Sequence, residues 1–167
     1  MGRKSTKENK NVYQISRENL DLSRADAEHV THISPDRIAD IENGKLAHPD
    51  EVVAMADGYK DPFLCNYYCA RECAIGAESV SLQEKKSLSR ISIEMLNALN
   101  YLEAEKNRFI EIVEDEEIKP YEEEDFTRIQ ERLQKMEAVI DSLQLWVKQY
   151  ELKDTSQKKD DTYIKEK

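Results

Sequence analysis

The sequence predicts an all-α protein, a domain of five short helices followed by a long antiparallel helical hairpin of coiled-coil character. Three observations carry this. The chain of 167 residues holds only 4 glycines and 4 prolines, and no stretch alternates apolar and polar residues as a half-buried strand does. Its first half is cut into short segments by helix start and stop signals. In its second half, apolar residues step by three and four from Phe126 to Tyr150, which is a coiled-coil seam. Residues 1–11 read as a flexible basic arm, 12–76 as the five-helix domain, 81–152 as the hairpin, and 153–167, KDTSQKKDDTYIKEK, as a disordered tail.

Composition bounds the possibilities. A charged fraction of 36% with a mean hydropathy of −0.79 indicates a surface-rich chain. No run of about 18 apolar residues exists to span a membrane, and the start lacks the apolar core of a signal peptide, so a cytoplasmic location is expected. Three cysteines, an odd number, in such a chain argue against a disulfide framework.

The first helix is predicted from Val12 to Asn19, with Val12, Ile15 and Leu20 toward a core. Ser23 caps a second helix over Arg24–Val30, with Ala25, Ala27 and Val30 at its small or apolar positions. Ser34 is an N-cap, and Pro35 suits the first turn of a third helix, where a missing N–H costs nothing. Ile38 and Ile41 give that helix one apolar face, Asn43-Gly44 end it, and Ile33 staples back onto it. Its outward side chains are Asp36, Arg37, Ala39 and Asp40, with Arg37 the candidate for reading a base or a phosphate. Asp36 equally suits the positive helix start, and Asp40 a solvated face. Pro49-Asp50 opens a fourth helix with Val52, Met55, Ala56 and Tyr59 at core spacing, and a fifth begins near Phe63 after Asp61-Pro62.

Two short helices joined by a tight turn, the second fixed rigidly at its start, form a helix-turn-helix. The run Leu22-Ser23, Ile33-Ser34, Ile38, Ile41-Glu42, Gly44 and Pro49 resembles the Cro/phage-repressor (XRE-like) helix-turn-helix family. CNYYCARECAIG at 65–76 resembles a tail found in small regulators of that kind, so the resemblance covers roughly residues 12–76. It departs at Thr31-His32, where the family has a small residue or glycine, and a wider turn is expected there. The resemblance implies double-stranded DNA as partner, Arg24 and the loop residues Asn43 and Lys45 on phosphates, and the start of the third helix, with Ser34, Asp36, Arg37 and Asp40, toward base edges.

Charge sits awkwardly with that partner. The net charge is −10; ten Lys and Arg against thirteen Asp and Glu leave −3 over residues 1–76. Phosphate contacts by Lys and Arg supply most non-specific affinity for DNA. An acidic surface is the feature of another class, a protein-interaction module on the same scaffold facing a basic partner.

Cys65, Cys69 and Cys73 fall at i, i+4 and i+8, close to one stripe of a continuous helix. Three thiols there suggest buried packing, a zinc or iron–sulfur site, or a thiol switch in a sensing regulator. Paired C-x2-C knuckles are missing, so no cofactor is the leading expectation. His29 and His32 have no third ligand nearby in sequence and read as solvated or capping residues. No phosphate loop, nucleophile elbow or His-Glu-x-x-His motif occurs, and an enzyme is not expected.

Ser81, with Glu84 three residues on, reads as the capping box of a helix running to about Asp115, with Leu88, Met95, Leu99, Leu102, Phe109 and Val113 as its seam. The acidic stretch at 114–125 breaks at Lys119-Pro120 and lacks the pattern of a calcium loop. The last helix is expected over Glu123–Leu152 with the seam Phe126, Ile129, Leu133, Met136, Ile140, Leu143, Val147 and Tyr150, flanked by Val139 and Trp146. A short connector makes the two helices antiparallel neighbours. The stripe is wider than one neighbour covers, and a homodimer through residues 81–152 is expected to cover the rest.

Overall fold

The computed structural model describes residues 9–114 and 117–165, with side chains described up to Leu152. Eight helices and no strand occur among the described residues: α1 (Val12–Asn19), α2 (Arg24–Thr31), α3 (Pro35–Glu42), α4 (Pro49–Gly58), α5 (Phe63–Arg71), the one-turn α6 (Gly76–Ser79), α7 (Leu88–Val113) and α8 (Glu123–Lys165). The chain divides into two compact units, residues 1–83 with 148–167, and residues 84–147.

In the first unit, local capping sets the frame. The Asn11 side chain accepts from the Gln14 N–H at the start of α1 and donates to the Ile41 carbonyl at 2.7 Å. Ser23 and Asp26 form a reciprocal box at the start of α2, and Ser34 caps α3 with Pro35 behind it. The core gathers Ala27, Ile33, Ile38, Ile41, Val52, Met55, Tyr59 and Leu64, all below 9% exposed. Burying side chains of this size contributes about 1.5–3 kcal/mol each before chain entropy is charged against it.

Several expectations need correction. Lys10 and Asn11 belong to the domain: Lys10 Nζ donates to Glu18 at 2.7 Å, so the described end of the expected arm is held, and its first eight residues lie outside the described ones. Ile15 and Leu20 are 46% and 44% exposed, and α1 instead buries Tyr13 together with the polar Gln14, Ser16, Arg17 and Glu18. These polar groups are tolerated because they find partners inside, Ser16 with Asp61 and Arg17 with Glu42. On α2 only Ala27 and Thr31 are buried, while Ala25 and Val30 are exposed. The turn into α3 spans His32–Ser34, and His32 itself takes the left-handed conformation (φ 58°) that glycine usually supplies.

In the second unit, α7 and α8 run antiparallel. Arg132 lies over the Tyr101 ring at 4.3 Å, Arg128 pairs with Glu105 at 2.9 Å, and Arg108 with Asp125 at 2.6 Å, so partners recede along one helix as they advance along the other. The seam between the helices holds Ile91, Ala98 and Ile112 facing Ile129, Val139 and Ser142, all 9% exposed or less.

This seam agrees with the expected one only in part. Ile129 and the flanking Val139 are buried, but Leu88, Leu99, Phe109 and Val113 on α7, and Leu133, Ile140, Val147 and Tyr150 on α8, are exposed. α7 starts later than its capping pattern at Ser81 suggests, with Ser87 as its cap. The Asn66 side chain holds the earlier backbone elsewhere, donating to the Ser81 carbonyl at 3.0 Å and accepting from the Gln83 N–H at 2.8 Å. α8 continues to Lys165, past the expected end at Leu152 and into the segment expected to be disordered.

Candidate nucleic-acid interface

All seven residues singled out for DNA contact lie on or against α3. Ser34 accepts from the Arg37 N–H at 3.4 Å as the cap, and Asp36 is exposed in the first turn. Arg37 is clamped. Its Nε and Nη2 donate to the two carboxylate oxygens of Glu51, both at 2.7 Å, and Nη2 also donates to the Leu46 carbonyl at 2.9 Å. Glu51 in turn accepts from the His48 N–H at 2.8 Å at the start of α4. The hydrogen bond from Arg37 holds the Glu51 carboxyl below the usual range. One guanidinium thus ties α3, the following loop and the start of α4 together.

At the other end of α3, Asp40 accepts from Lys45 at 2.8 Å, and both are exposed enough for water to screen the pair. Asn43 closes α3 as its C-cap and is exposed, and Gly44 follows at φ 98°. Arg24 reaches α3 from α2: its Nε donates to Glu42 at 2.9 Å while 42% of its side chain stays exposed. Glu42 is the centre of this end. Its side chain is 1% exposed and also accepts from Arg17 Nε at 2.6 Å and Nη2 at 3.0 Å.

Two of the residues that organise the surface, Glu42 and Glu51, are absent from the expected set. Glu51 does carry a local signal, since it stands three residues after His48 at a helix start. Its pairing with Arg37, 14 residues away, has none.

The three cysteines do not form one stripe. Cys65 and Cys69 lie on α5, but Cys73 lies beyond the helix end, where its backbone N–H donates to Tyr68 and its sulfur accepts from the Gly76 N–H at 3.4 Å. All three are free and half-buried. Burial, and then the Asp57 carboxylate, push the Cys65 thiol up, which disfavours the thiolate needed for metal binding or redox chemistry. Among the described residues no three His, Cys, Asp or Glu side chains are grouped to hold a metal ion.

The molecule is thus an all-helical protein whose third helix, partly open to solvent, is ringed by cations already matched with carboxylates. Among the described residues no helix is long and apolar enough to cross a membrane. Comparison with family models, with curated proteins and with solved structures finds no match to this chain.

Proposed function

We propose that the chain is a sequence-specific, non-enzymatic DNA-binding regulator of the XRE-like kind, cytoplasmic and acting as a homodimer without a bound cofactor. The observation that carries this reading is the anchoring of α3. It is capped at Ser34, fixed to α4 through Arg37–Glu51 and to α1 and α2 through Glu42, while Asp36 and Asn43 stay exposed. A short helix held at both ends and open along one side suits insertion into the major groove. Arg24 and Lys45 are the exposed cations nearest its end and suit phosphates; Asp36 and Asp40 suit a cytosine amino group better than a phosphate.

A second reading rests on the charge balance of the same surface. Arg24, Arg37 and Lys45 are each matched with a carboxylate, and Asp36 and Asp50 add further negative charge. A basic segment of a protein partner suits that surface better than a polyanion. The two readings separate in a selection of random DNA oligomers by the full chain at two salt concentrations. Enrichment of paired half-sites, with affinity falling as salt rises, supports the regulator. No enrichment at low salt, together with binding to basic peptides, supports the protein-interaction module.

A further inference from the structure

α7 carries a second helical seam one residue further round than the one that meets α8, about 100° away on the helix. It consists of Leu96, Leu99, Glu103, Lys106, Ile110 and Val113, spaced three, four, three, four and three residues apart. The four apolar members are 45–61% exposed, a costly arrangement for a stripe five turns long. Leu99, Glu103 and Lys106 share a groove of about 300 Å³ with Leu133 of α8, so both helices contribute to this face.

The order of residues along the seam identifies the occupant. Read from either end it runs apolar, apolar, charged, charged, apolar, apolar, and the two charges have opposite sign. Laid against an antiparallel copy of itself, with a two-fold axis between Ala104 and Glu105, Leu96 meets Val113, Leu99 meets Ile110, and Glu103 meets Lys106. Every contact occurs twice, and both charge contacts are attractive. A parallel copy sets Glu103 against Glu103 and Lys106 against Lys106. Within one protomer Lys106 and Glu103 already lie 3.5 Å apart and exposed, so pairing assembles a closed square of four alternating charges.

We infer that a second copy of this chain covers this face, with the two α7 helices packed antiparallel in that register, an isologous contact. The inference rests on the pairing of two copies in the proposed function and adds the surface and the direction. A different protein has no reason to match a sequence that is complementary to its own reversal.

The test uses full-length chains bearing Leu99→Cys or Ile110→Cys under mild oxidation. The expected result is a disulfide-linked dimer when the two chains are mixed. Neither chain alone should crosslink beyond the parent, whose Cys65, Cys69 and Cys73 set the background. A second measurement uses charge. Glu103→Lys and Lys106→Glu chains should each dimerise roughly tenfold more weakly than the parent in analytical ultracentrifugation, and a mixture of the two should recover the parent affinity. Monomers at tens of micromolar overturn the pairing altogether, in this inference and in the proposed function. A dimer that crosslinks Leu99→Cys to itself, or that ignores the charge variants, overturns the register while leaving a dimeric regulator and its paired half-sites intact.

Discussion

Glu42→Gln keeps the shape of a buried side chain and removes its charge, which isolates what that charge does. In the parent, Glu42 accepts from Arg17 at 2.6 and 3.0 Å and from Arg24 at 2.9 Å, with 1% of its side chain exposed. Arg17 is 7% exposed, so the substitution strands a guanidinium inside the domain. Removing one member of a buried pair costs about 3–5 kcal/mol. Glu18, 3.8 Å from Arg17, offers a partial substitute and points to the lower end, about 3 kcal/mol. Arg24→Ala deletes the other donor, but its side chain is 42% exposed and water takes over its role, so at most about 1 kcal/mol is expected. The assay is hydrogen exchange of the Ile38 and Ile41 amides in the full chain. Trp146 fluorescence is unsuitable because that residue lies in the other unit. Exchange should accelerate roughly a hundredfold for Glu42→Gln and no more than about fivefold for Arg24→Ala. Equal effects from the two substitutions would refute the claim that burial of Glu42 and Arg17 decides the energetics.

Three further outcomes follow from the geometry. Gly58→Ala places a Cβ 2.8 Å from the Val30 carbonyl oxygen, so α2 and α4 must separate; a loss of about 1–3 kcal/mol is expected in a thermal melt, and a parent-like melt would contradict the close approach. Hydrogen bonds from Arg128 to Glu105, and from Arg108 and then Arg128 to Asp125, hold both carboxyls below their ordinary values. Their contribution to the hairpin is therefore present above the unfolded carboxylate range and lost as pH falls below about 4 through the depressed values. Trp146 fluorescence should show an acid transition that moves to higher pH in Arg128→Met. On the proposed DNA-binding reading, Glu51→Gln loosens the clamp on Arg37 without deleting it, so a DNA selection should retain the preferred bases but with weaker discrimination, whereas Arg37→Ala should cost about 1–3 kcal/mol and relax one position; identical selections from the parent and both variants would remove Arg37 from the proposed contact.

What the sequence made readable was local. Ser34, Pro35, Ile38, Ile41 and Gly44 mark the start, face and end of α3 within one short stretch, and the structure follows them. Val52, Met55, Ala56 and Tyr59 likewise set the inner face of α4 by spacing alone. The inner face of α1 was not readable, because what makes Ser16 and Arg17 acceptable inside are Asp61 and Glu42, 45 and 25 residues away. The start of α7 was misplaced at Ser81 because its capping pattern is local, whereas the backbone there is hydrogen-bonded to the Asn66 side chain of α5, which periodicity does not reveal, and the helix begins after Ser87. The hairpin seam was ambiguous for a different reason. α8 carries an apolar stripe wide enough for two neighbours, so periodicity gave the helix but not which half meets α7. At the candidate interface the positions of Arg24, Arg37 and Lys45 were readable, and their ion pairs, which decide the charge of the surface, were not.

On the proposed reading, those ion pairs also bear on how an acidic protein approaches DNA. A guanidinium has five N–H donors. Arg37 spends its Nε and Nη2 groups on Glu51 and the Leu46 carbonyl, and among the described residues its Nη1 has no partner. Arg24 is held by Glu42 at Nε and Nη2 while much of it faces water. The carboxylates therefore aim these side chains more than they consume them, as outer partners orient a ligand. What they do remove is net positive charge, and with it the long-range attraction that gives non-specific affinity. On the proposed reading the surface thus trades loose binding to any duplex for a small set of fixed donors, and its salt dependence should be shallow for a DNA binder. A steep slope, matching many neutralised phosphates, would mean that cations outside α3 make the contact, and the first eight residues, with Arg3, Lys4 and Lys7, would be the place to look for them.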